Sequence, residues 1–138
     1  MLKMILVEDN PSLRDLMLME FNEFFPENVL VRDTAAEALN YLSLFPKVKV
    51  IVTASHTNQE DTAAIIEEYI SYNNLKTKLI VLGEFESISS DTMIIPKRTL
   101  WKTATSEAIR TLCPNFDEDQ IFLKKASKWR KRPESSSL

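Results

Sequence analysis

Two acidic side chains, Glu8 and Asp9, directly follow a short apolar run near the start of the sequence. Carboxylate oxygens are hard ligands that suit Mg²⁺, so this pair is the first candidate for chemistry. Two carboxylates with no third ligand form a weak site, in which the ion keeps most of its waters. The alternative, which we favour, is that the pair caps the end of a strand and interacts with Lys97 across a pocket.

The single histidine of the chain, His56, stands beside Ser55 in a polar stretch that follows another apolar run. A serine, a histidine and an acid are the components of a hydrolytic triad. Sequence neighbours rarely form such a triad, and no oxyanion-hole motif accompanies them, so we expect an exposed loop histidine. The single cysteine, Cys113, excludes an internal disulfide and a cysteine-based metal cluster.

Gly83 is the one glycine among the 138 residues. Loops that cradle nucleotide phosphates, and turns that expose a nucleophilic serine, need several glycines because the backbone must approach the ligand closely. Those enzyme classes are therefore disfavoured. We expect a protein without catalytic activity, small-molecule substrate or cofactor, with weak Mg²⁺ binding at Glu8 and Asp9 as the exception to be tested.

Length and charge indicate one body with a basic tail. A chain of 138 residues with 44% apolar side chains suits one domain, placed at residues 1–115, followed by a tail or linker at 116–138 with a disordered Ser-rich end. The net charge of −3 divides into −8 for residues 1–120 and +5 for residues 121–138. Neither an export signal nor a membrane span is evident, so a cytoplasmic location is expected.

The sequence alternates between continuous apolar runs and stretches with helical spacing. Short continuous runs are typical of strands that are buried on both faces. Strands are predicted at Lys3–Val7, Val29–Val31, Val48–Thr53, Lys78–Leu82 and Thr92–Ile95. With helices between them, this order predicts an α/β fold with a doubly wound, five-stranded parallel sheet. Chemistry in such sheets collects at the carboxyl ends of the strands.

Apolar spacing also predicts which side of each helix faces the core. In the first helix Leu16 is placed inward, Met19 outward and Leu18 at the margin. The third helix, from about Asp61 to Tyr72, is expected to turn four side chains inward: Ala64, Ile65, Tyr69 and Tyr72. A last body helix is predicted from Leu100 to Leu112, and an extra helix in the C-terminal tail.

The fourth β-α unit is abnormally short. Nine residues, GEFESISSD, separate the fourth strand from the fifth, against the ~10 or more that a crossover with a full helix requires. The fourth helix is therefore expected to be shortened to about one turn, or to be replaced by an irregular crossover.

The segment ILVEDNPSLRDLM, residues 5–17, resembles the opening of a response-regulator receiver domain. RDTAAEAL, residues 32–39, is similar to the second β-α unit of that family, and the resemblance extends from residue 3 to about residue 113. It implies a flavodoxin-like fold and a role in two-component signalling, in which a histidine kinase transfers a phosphoryl group to an aspartate after the third strand. Glu8 and Asp9 match the two acids that help to hold Mg²⁺ in that family.

The third strand departs from the receiver pattern at the reacting group. The alignment places Ala54 at the acceptor aspartate, Asn58 at the usual proline and Asp61 at the acid that ends the loop. The neighbours Thr53 and Ser55 carry hydroxyls, but adjacent strand residues face opposite ways, so neither is aimed at the pocket unless the strand bulges.

The other positions that bind or respond to the phosphoryl group in receivers also lack the family's usual residues here. Gly83 stands where the family has a threonine or serine that holds the phosphoryl group. Pro96-Lys97 reverses the usual order of lysine and proline, and no aromatic residue precedes the lysine on the fifth strand. We therefore predict a pseudo-receiver, a protein-interaction module that works without phosphorylation. The alternatives are a divergent receiver that binds a metal or phosphoryl group at a rearranged site, or the regulatory N-terminal domain of a larger signalling protein.

Several apolar side chains are candidates for an interface with a signalling partner or with a second copy of the chain. They are Leu18, Met19, Phe85, Leu100, Trp101, Phe122 and Trp129. In receivers the first helix often docks to a partner, and the surface around the fourth helix, fifth strand and fifth helix is the usual dimer surface. The basic tail has three candidate contacts, which are an acidic protein surface, anionic lipid and nucleic acid.

Overall fold

A computed structural model describes residues 4–24 and 29–96, together with the helical positions 104, 105, 107 and 108. Three predictions fall outside these residues: the contact of Lys97, the extra C-terminal helix, and the division of the chain between residues 115 and 116. So do four of the interface candidates: Leu100, Trp101, Phe122 and Trp129. Within the described residues, no helix combines the length and the apolar character that a membrane crossing requires.

Strands and helices alternate along the chain. The strands are β1 (Met4–Val7), β2 (Val29–Arg32), β3 (Val50–Ala54), β4 (Lys78–Leu82) and β5 (Met93–Ile95). The helices are α1 (Pro11–Phe24), α2 (Ala35–Leu44) and α3 (Thr62–Tyr72). The five predicted strands and the predicted third helix are confirmed, with shifts of one or two residues at their ends. The last body helix predicted from Leu100 to Leu112 lies mostly outside the described residues. Thr34 caps α2, since its hydroxyl accepts from the backbone N–H of Glu37.

The five strands form one parallel sheet in the order β2-β1-β3-β4-β5. This is the strand order of flavodoxin-like folds, and the predicted fold class is confirmed. In the register, Val7 lies opposite Thr53, Ala54 opposite Leu82, and Leu82 opposite Ile95. The ends of β1, β3, β4 and β5 therefore meet at one edge of the sheet, where the candidate residues follow.

Each face of the sheet has its own apolar core, because successive strand residues point to opposite sides. On one face, Met17 and Phe21 of α1, together with Ala108, pack over strand residues that include Leu6 and Val52. On the other face, α2 and α3 pack over the alternate strand positions, such as Ile5, Val81 and Leu79. Burial of these side chains, at roughly 1.5–3 kcal/mol each, provides the main driving force for folding.

Two predictions about helix faces are wrong. Leu16 of α1 is largely exposed, because the buried stripe of that helix is the narrow i, i+4 series through Met17 and Phe21. In α3 the predicted inward residues Ala64, Ile65 and Tyr72 are exposed and Tyr69 is half-buried. The buried side of α3 is instead made of Thr62, Ala63, Ile66 and Glu67. Two of these four side chains are polar and have hydrogen-bond partners in neighbouring loops, so hydrophobicity alone misplaced the face by about one residue.

Residues 83–92, which connect β4 to β5, contain no helix. Of the two expected arrangements, the structure has the irregular crossover. The surface that a fourth helix would cover is covered only in part by this segment of bends and turns, and Phe85 supplies its packing against the α2/α3 core.

Candidate functional site

The candidate residues gather at the carboxyl edge of the sheet, as the topology requires. Glu8 and Asp9 follow β1, Ser55 and His56 follow β3, Gly83 follows β4 and Pro96 follows β5. Leu6 and Val52 pack on the α1 face, so Glu8 and Ala54, two residues further along their strands, continue toward that same face. The sheet therefore separates them from groups on the α3 face.

The two acids after β1 have different surroundings. Glu8 is 2% exposed, and its Oε2 accepts from the backbone N–H of Asn10 at 3.1 Å. Asp9 is exposed, and its Oδ2 accepts from the backbone N–H of Asn58 at 2.7 Å. Among the described residues, no group of three or more acids, histidines or cysteines is placed to hold a metal ion. The acidic pair is thus arranged to cap and tie loops at this edge.

The loop between β3 and α3 turns through a tight hairpin. Thr57 and Glu60 pair in antiparallel fashion, with hydrogen bonds of 3.3 and 2.9 Å, and both intervening residues have positive φ, 51° at Asn58 and 65° at Gln59. Two consecutive positive φ angles are typical of a type I′ turn, a conformation that asparagine tolerates and proline cannot adopt. The side chain of Asn58 also donates to the carbonyl of Asp33 at 2.8 Å. Asn58 therefore ties together the loops that follow β1, β2 and β3.

Ala54, aligned with the phosphoacceptor aspartate, is the last residue of β3 and is 1% exposed. Its methyl group is part of the buried end of the sheet. Of the two neighbouring hydroxyls, Thr53 is buried and donates to the carbonyl of Ala54 at 2.8 Å, and Ser55 is half-buried and contacts His56. Each of these two hydroxyls therefore contacts a group of the residue next to it.

Gly83 has a backbone reason to be glycine. Its φ is 123°, a region that a Cβ atom disfavours, and its N–H donates to the carbonyl of Ile95 at 2.8 Å. The chain turns sharply here from β4 into the crossover while remaining bonded to β5. A threonine or serine at this position would strain the turn, so the loss of the hydroxyl and the shape of the crossover are linked.

An open cleft of about 930 Å³ lies beside these strand ends on the α3 side of the sheet. Its lining residues are Ser55, His56, Gly83, Glu84, Phe85, Glu86, Ile94 and Pro96. Glu8, Asp9 and Ala54 do not line it. The structure therefore brings Gly83, Phe85 and Pro96 together and leaves the acidic pair and Ala54 elsewhere.

Ser55, His56 and Asp61 form a chain of contacts at the mouth of this cleft. His56 Nε2 lies 2.7 Å from Asp61 Oδ1, and His56 Nδ1 lies 3.1 Å from Ser55 Oγ. The His56 and Asp61 side chains are 62% and 74% exposed, so water competes with the pair, and exposed pairs of this kind contribute little energy. The predicted exposed loop histidine is confirmed.

Glu67, on the buried side of α3 next to the crossover, is a residue whose role the sequence did not reveal. It is 4% exposed, its Oε2 accepts from the hydroxyls of Ser87 and Thr92 at 2.5 Å each, and its Oε1 accepts from the backbone N–H of Ile88 at 2.9 Å. Burial raises the pKa of Glu67, but the hydrogen bonds from Ser87, from Thr92 and from backbone N–H groups of the crossover bring it below its ordinary value. One carboxylate of α3 thus holds the irregular crossover in place.

The signal that could have identified Glu67 is its position. It lies four residues after Ala63 and one after Ile66, on the side of α3 that is buried.

Of the predicted interface residues within the described part of the chain, Met19 is 69% exposed, and Leu18 and Phe85 are half-buried. Met19 therefore faces solvent as predicted.

No protein-family model matches the sequence, and a comparison with curated proteins finds no significant similarity. Solved structures do match. A response regulator receiver domain protein from Bacillus halodurans aligns with a TM-score of 0.62 and 17% identity over 80% of this chain and 93% of that one.

Two further matches have the same character. The signal receiver domain of a signal transduction histidine kinase from Syntrophus aciditrophicus has a TM-score of 0.65 and 18% identity, over 83% of this chain and 92% of that chain. A DNA-binding response regulator of the LuxR family from Staphylococcus aureus has a TM-score of 0.62 and 15% identity, over 81% and 98%. At these identities the similarity shows the fold, which is the receiver fold that the resemblance implied.

Proposed function

We propose that the protein acts in two-component-type signalling as a pseudo-receiver, a domain that binds a signalling partner without being phosphorylated and without catalysing a reaction. The observation that carries this proposal is Ala54, a buried methyl group at the end of β3, where the receiver resemblance places the phosphoacceptor. Transfer of a phosphoryl group from a kinase histidine requires a nucleophile at that point. The hydroxyls of Thr53 and Ser55 are engaged in other contacts.

The surroundings of Ala54 support the same proposal. Asp9, which the resemblance assigns to Mg²⁺, accepts a hydrogen bond from the backbone N–H of Asn58. Proline, the usual residue at that position, has no N–H to donate, so the departure at Asn58 and the contact of Asp9 belong together. Gly83 offers no hydroxyl and adopts a φ that suits glycine. No cofactor is proposed, and any Mg²⁺ bound by Glu8 and Asp9 is expected to be weak.

The chemical half of the proposal is tested with a small phosphodonor and Mg²⁺. The chain is incubated with both, and its intact mass is measured alongside that of a receiver that has the acceptor aspartate. We expect the control to gain an acid-labile phosphoryl group and this chain to gain none. A stoichiometric acid-labile adduct on this chain would instead establish the alternative, a divergent receiver with a rearranged site.

Titration of Trp fluorescence with Mg²⁺ tests metal binding by Glu8 and Asp9. A saturable response at sub-millimolar Mg²⁺ that is absent from Asp9→Asn would contradict the expectation that this binding is weak.

The binding half of the proposal is tested by capture of partners from source cells, with the phosphodonor present or absent. We expect the same signalling partner to be retained with the same affinity under both conditions, because docking does not depend on a phosphoryl group. Met19→Glu, on the exposed side of α1, is the interface variant, and Ser12→Glu, also exposed on α1, is its control because it makes the same change of charge. Binding that requires the phosphodonor would contradict the proposal.

A further inference from the structure

The face of the sheet next to β5 has incomplete cover because the crossover replaces a helix. Ile94 of β5 points to the same side as Val81, its register partner, yet Ile94 is 40% exposed while Val81 is fully buried. Ile88 in the crossover is 76% exposed. Together with Phe85 and Pro96, Ile94 forms the apolar side of the cleft of about 930 Å³. This surface, which we call the crossover face, is defined by residues 83–96.

The crossover face is acidic as well as apolar. Glu84, Glu86 and Asp91 are exposed on it, and residues 83–96 contain no basic side chain. Glu60 and Asp61 are exposed in the loop that borders the cleft. A ligand that matched this surface would combine apolar side chains with several positive charges, since each part would meet its complement.

The chain itself contains such a ligand. Residues 121–132, IFLKKASKWRKR, combine four large apolar side chains with six bases and contain no acid. The tether is long enough. Ala108 packs on the opposite face, close to Ile95, and the nine residues from Leu112, where the predicted last body helix ends, to Ile121 span up to ~30 Å when extended. The layers on the two sides of a sheet lie only ~10 Å from it, so the route around the edge strand β5 is well within this reach.

We infer that residues 121–132 dock onto the crossover face of the same chain. The tether gives this contact a local concentration on the order of millimolar, so modest ion-pair and apolar contacts suffice to populate it. The docked segment covers Ile94 and Phe85 and neutralises the acids of the crossover. A partner that binds this face must displace the segment, which makes the tail a competitor for the site. The inference does not depend on whether the domain is phosphorylated.

The test is hydrogen–deuterium exchange of the full chain at low salt, read in residues 84–95. Two variants are compared with the unaltered protein. The tail variant is Lys128→Glu with Lys131→Glu, and the control makes the same total change of charge at exposed body positions away from residues 83–96, Lys47→Glu with Ser12→Glu and Asn40→Asp. We expect residues 84–95 to exchange about threefold to tenfold faster in the tail variant and to be unchanged in the control. Exchange in β1 and β3 reports global folding and should be the same in all three proteins.

Two outcomes would overturn the inference. Equal exchange of residues 84–95 in the tail variant and the unaltered protein would show that the segment does not cover this face. Protection that increases with protein concentration would show that the occupant is another copy of the chain. Raising the ionic strength to about 1 M, where the Debye length falls to ~3 Å, should release the segment in the unaltered protein and reproduce the tail variant.

Discussion

The contact between Glu67 and the crossover gives the most direct test of how this chain replaces a helix. The Glu67 carboxylate accepts hydrogen bonds from two hydroxyl groups and one backbone N–H of residues 87–92, which are 20 to 25 positions away in sequence. Glu67→Ala removes every acceptor at once. The crossover is then expected to detach from α3 while the five strands remain paired.

The size of the effect follows from the three bonds. A hydrogen bond to a charged group contributes roughly 1.5–3 kcal/mol when its partner is buried, which would make the upper limit about 9 kcal/mol. The real loss is smaller, because Ile88 is largely exposed and water can satisfy its N–H, and because the hydroxyls of Ser87 and Thr92 can rotate to other acceptors. We therefore expect Glu67→Ala to lower the free energy of unfolding by about 2–4 kcal/mol.

Urea unfolding measures this loss, and Glu68→Ala is the matched control, since Glu68 is the exposed neighbour on the same helix. Hydrogen exchange should show faster opening of residues 87–92 in Glu67→Ala alone. A change below about 0.5 kcal/mol in Glu67→Ala, the range of ordinary surface substitutions, would refute the anchoring role of this carboxylate.

The stability from Glu67 should also depend on pH. Its pKa in the folded protein is lowered from 4.5, so the unfolded state binds more protons in the interval between the two pKa values. The contribution of Glu67 to the free energy of unfolding is present in full above its pKa in the unfolded state, and it is lost as the pH falls through its pKa in the folded state. Unfolding curves of the unaltered protein and Glu67→Gln should therefore converge as the pH falls from 6 toward 3, about one and a half units to either side of the ordinary pKa. A constant difference across this range would contradict the assignment.

Three further substitutions test the rebuilt strand ends. Ala54→Asp places a carboxylate in a buried site and should lower the free energy of unfolding by on the order of 3 kcal/mol, as measured by urea unfolding. Its intact mass should show no added phosphoryl group. Efficient phosphorylation of this variant at unchanged stability would refute both expectations. Gly83→Ala puts a Cβ at a φ of 123° and should cost about 1–2 kcal/mol, while Ser90→Ala in the same crossover should be nearly neutral. Asn58→Pro loses the N–H that binds Asp9 and cannot adopt a φ of 51°, so about 3 kcal/mol should be lost. Asn58→Gly keeps the N–H and the positive φ and loses only the side-chain bond to Asp33, so it should cost about 1 kcal/mol; equal thermal midpoints for the two variants would disprove the role of this turn.

The strands and their order could be predicted because each is a continuous apolar run, and such runs in alternation with helices leave few topologies. The buried face of α3 could not be predicted in the same way. Glu67 reads as a surface residue when hydrophobicity is counted, and its burial depends on donors that lie 20 or more residues further along the chain. The choice between a one-turn helix and an irregular crossover depended on those same contacts.

The candidate site was predicted in its location but not in its connections. Parallel strands place Glu8, Asp9, Ser55 and Gly83 at one edge whatever their side chains do. The bond between Asp9 and Asn58 joins residues 49 positions apart, and it forms because Asn58 adopts a positive φ that no local pattern required. The positive φ of Gly83 was equally hidden, although its being the one glycine of the chain was a signal.

Two residues that differ from the receiver pattern at this edge, Asn58 and Gly83, each have a structural reason. Asn58 uses a backbone N–H that proline lacks to engage Asp9, and Gly83 uses a φ that a threonine would resist in order to lead β4 into a crossover without a helix. That crossover is in turn held by Glu67. A proline at residue 58 would therefore remove the bond to Asp9, and a threonine at residue 83 would strain the turn into the crossover. For this reason we expect Ala54→Asp combined with Asn58→Pro to lose at least as much stability as the two single variants together, and a double variant that is more stable than either single would show that the receiver site persists intact around one altered residue.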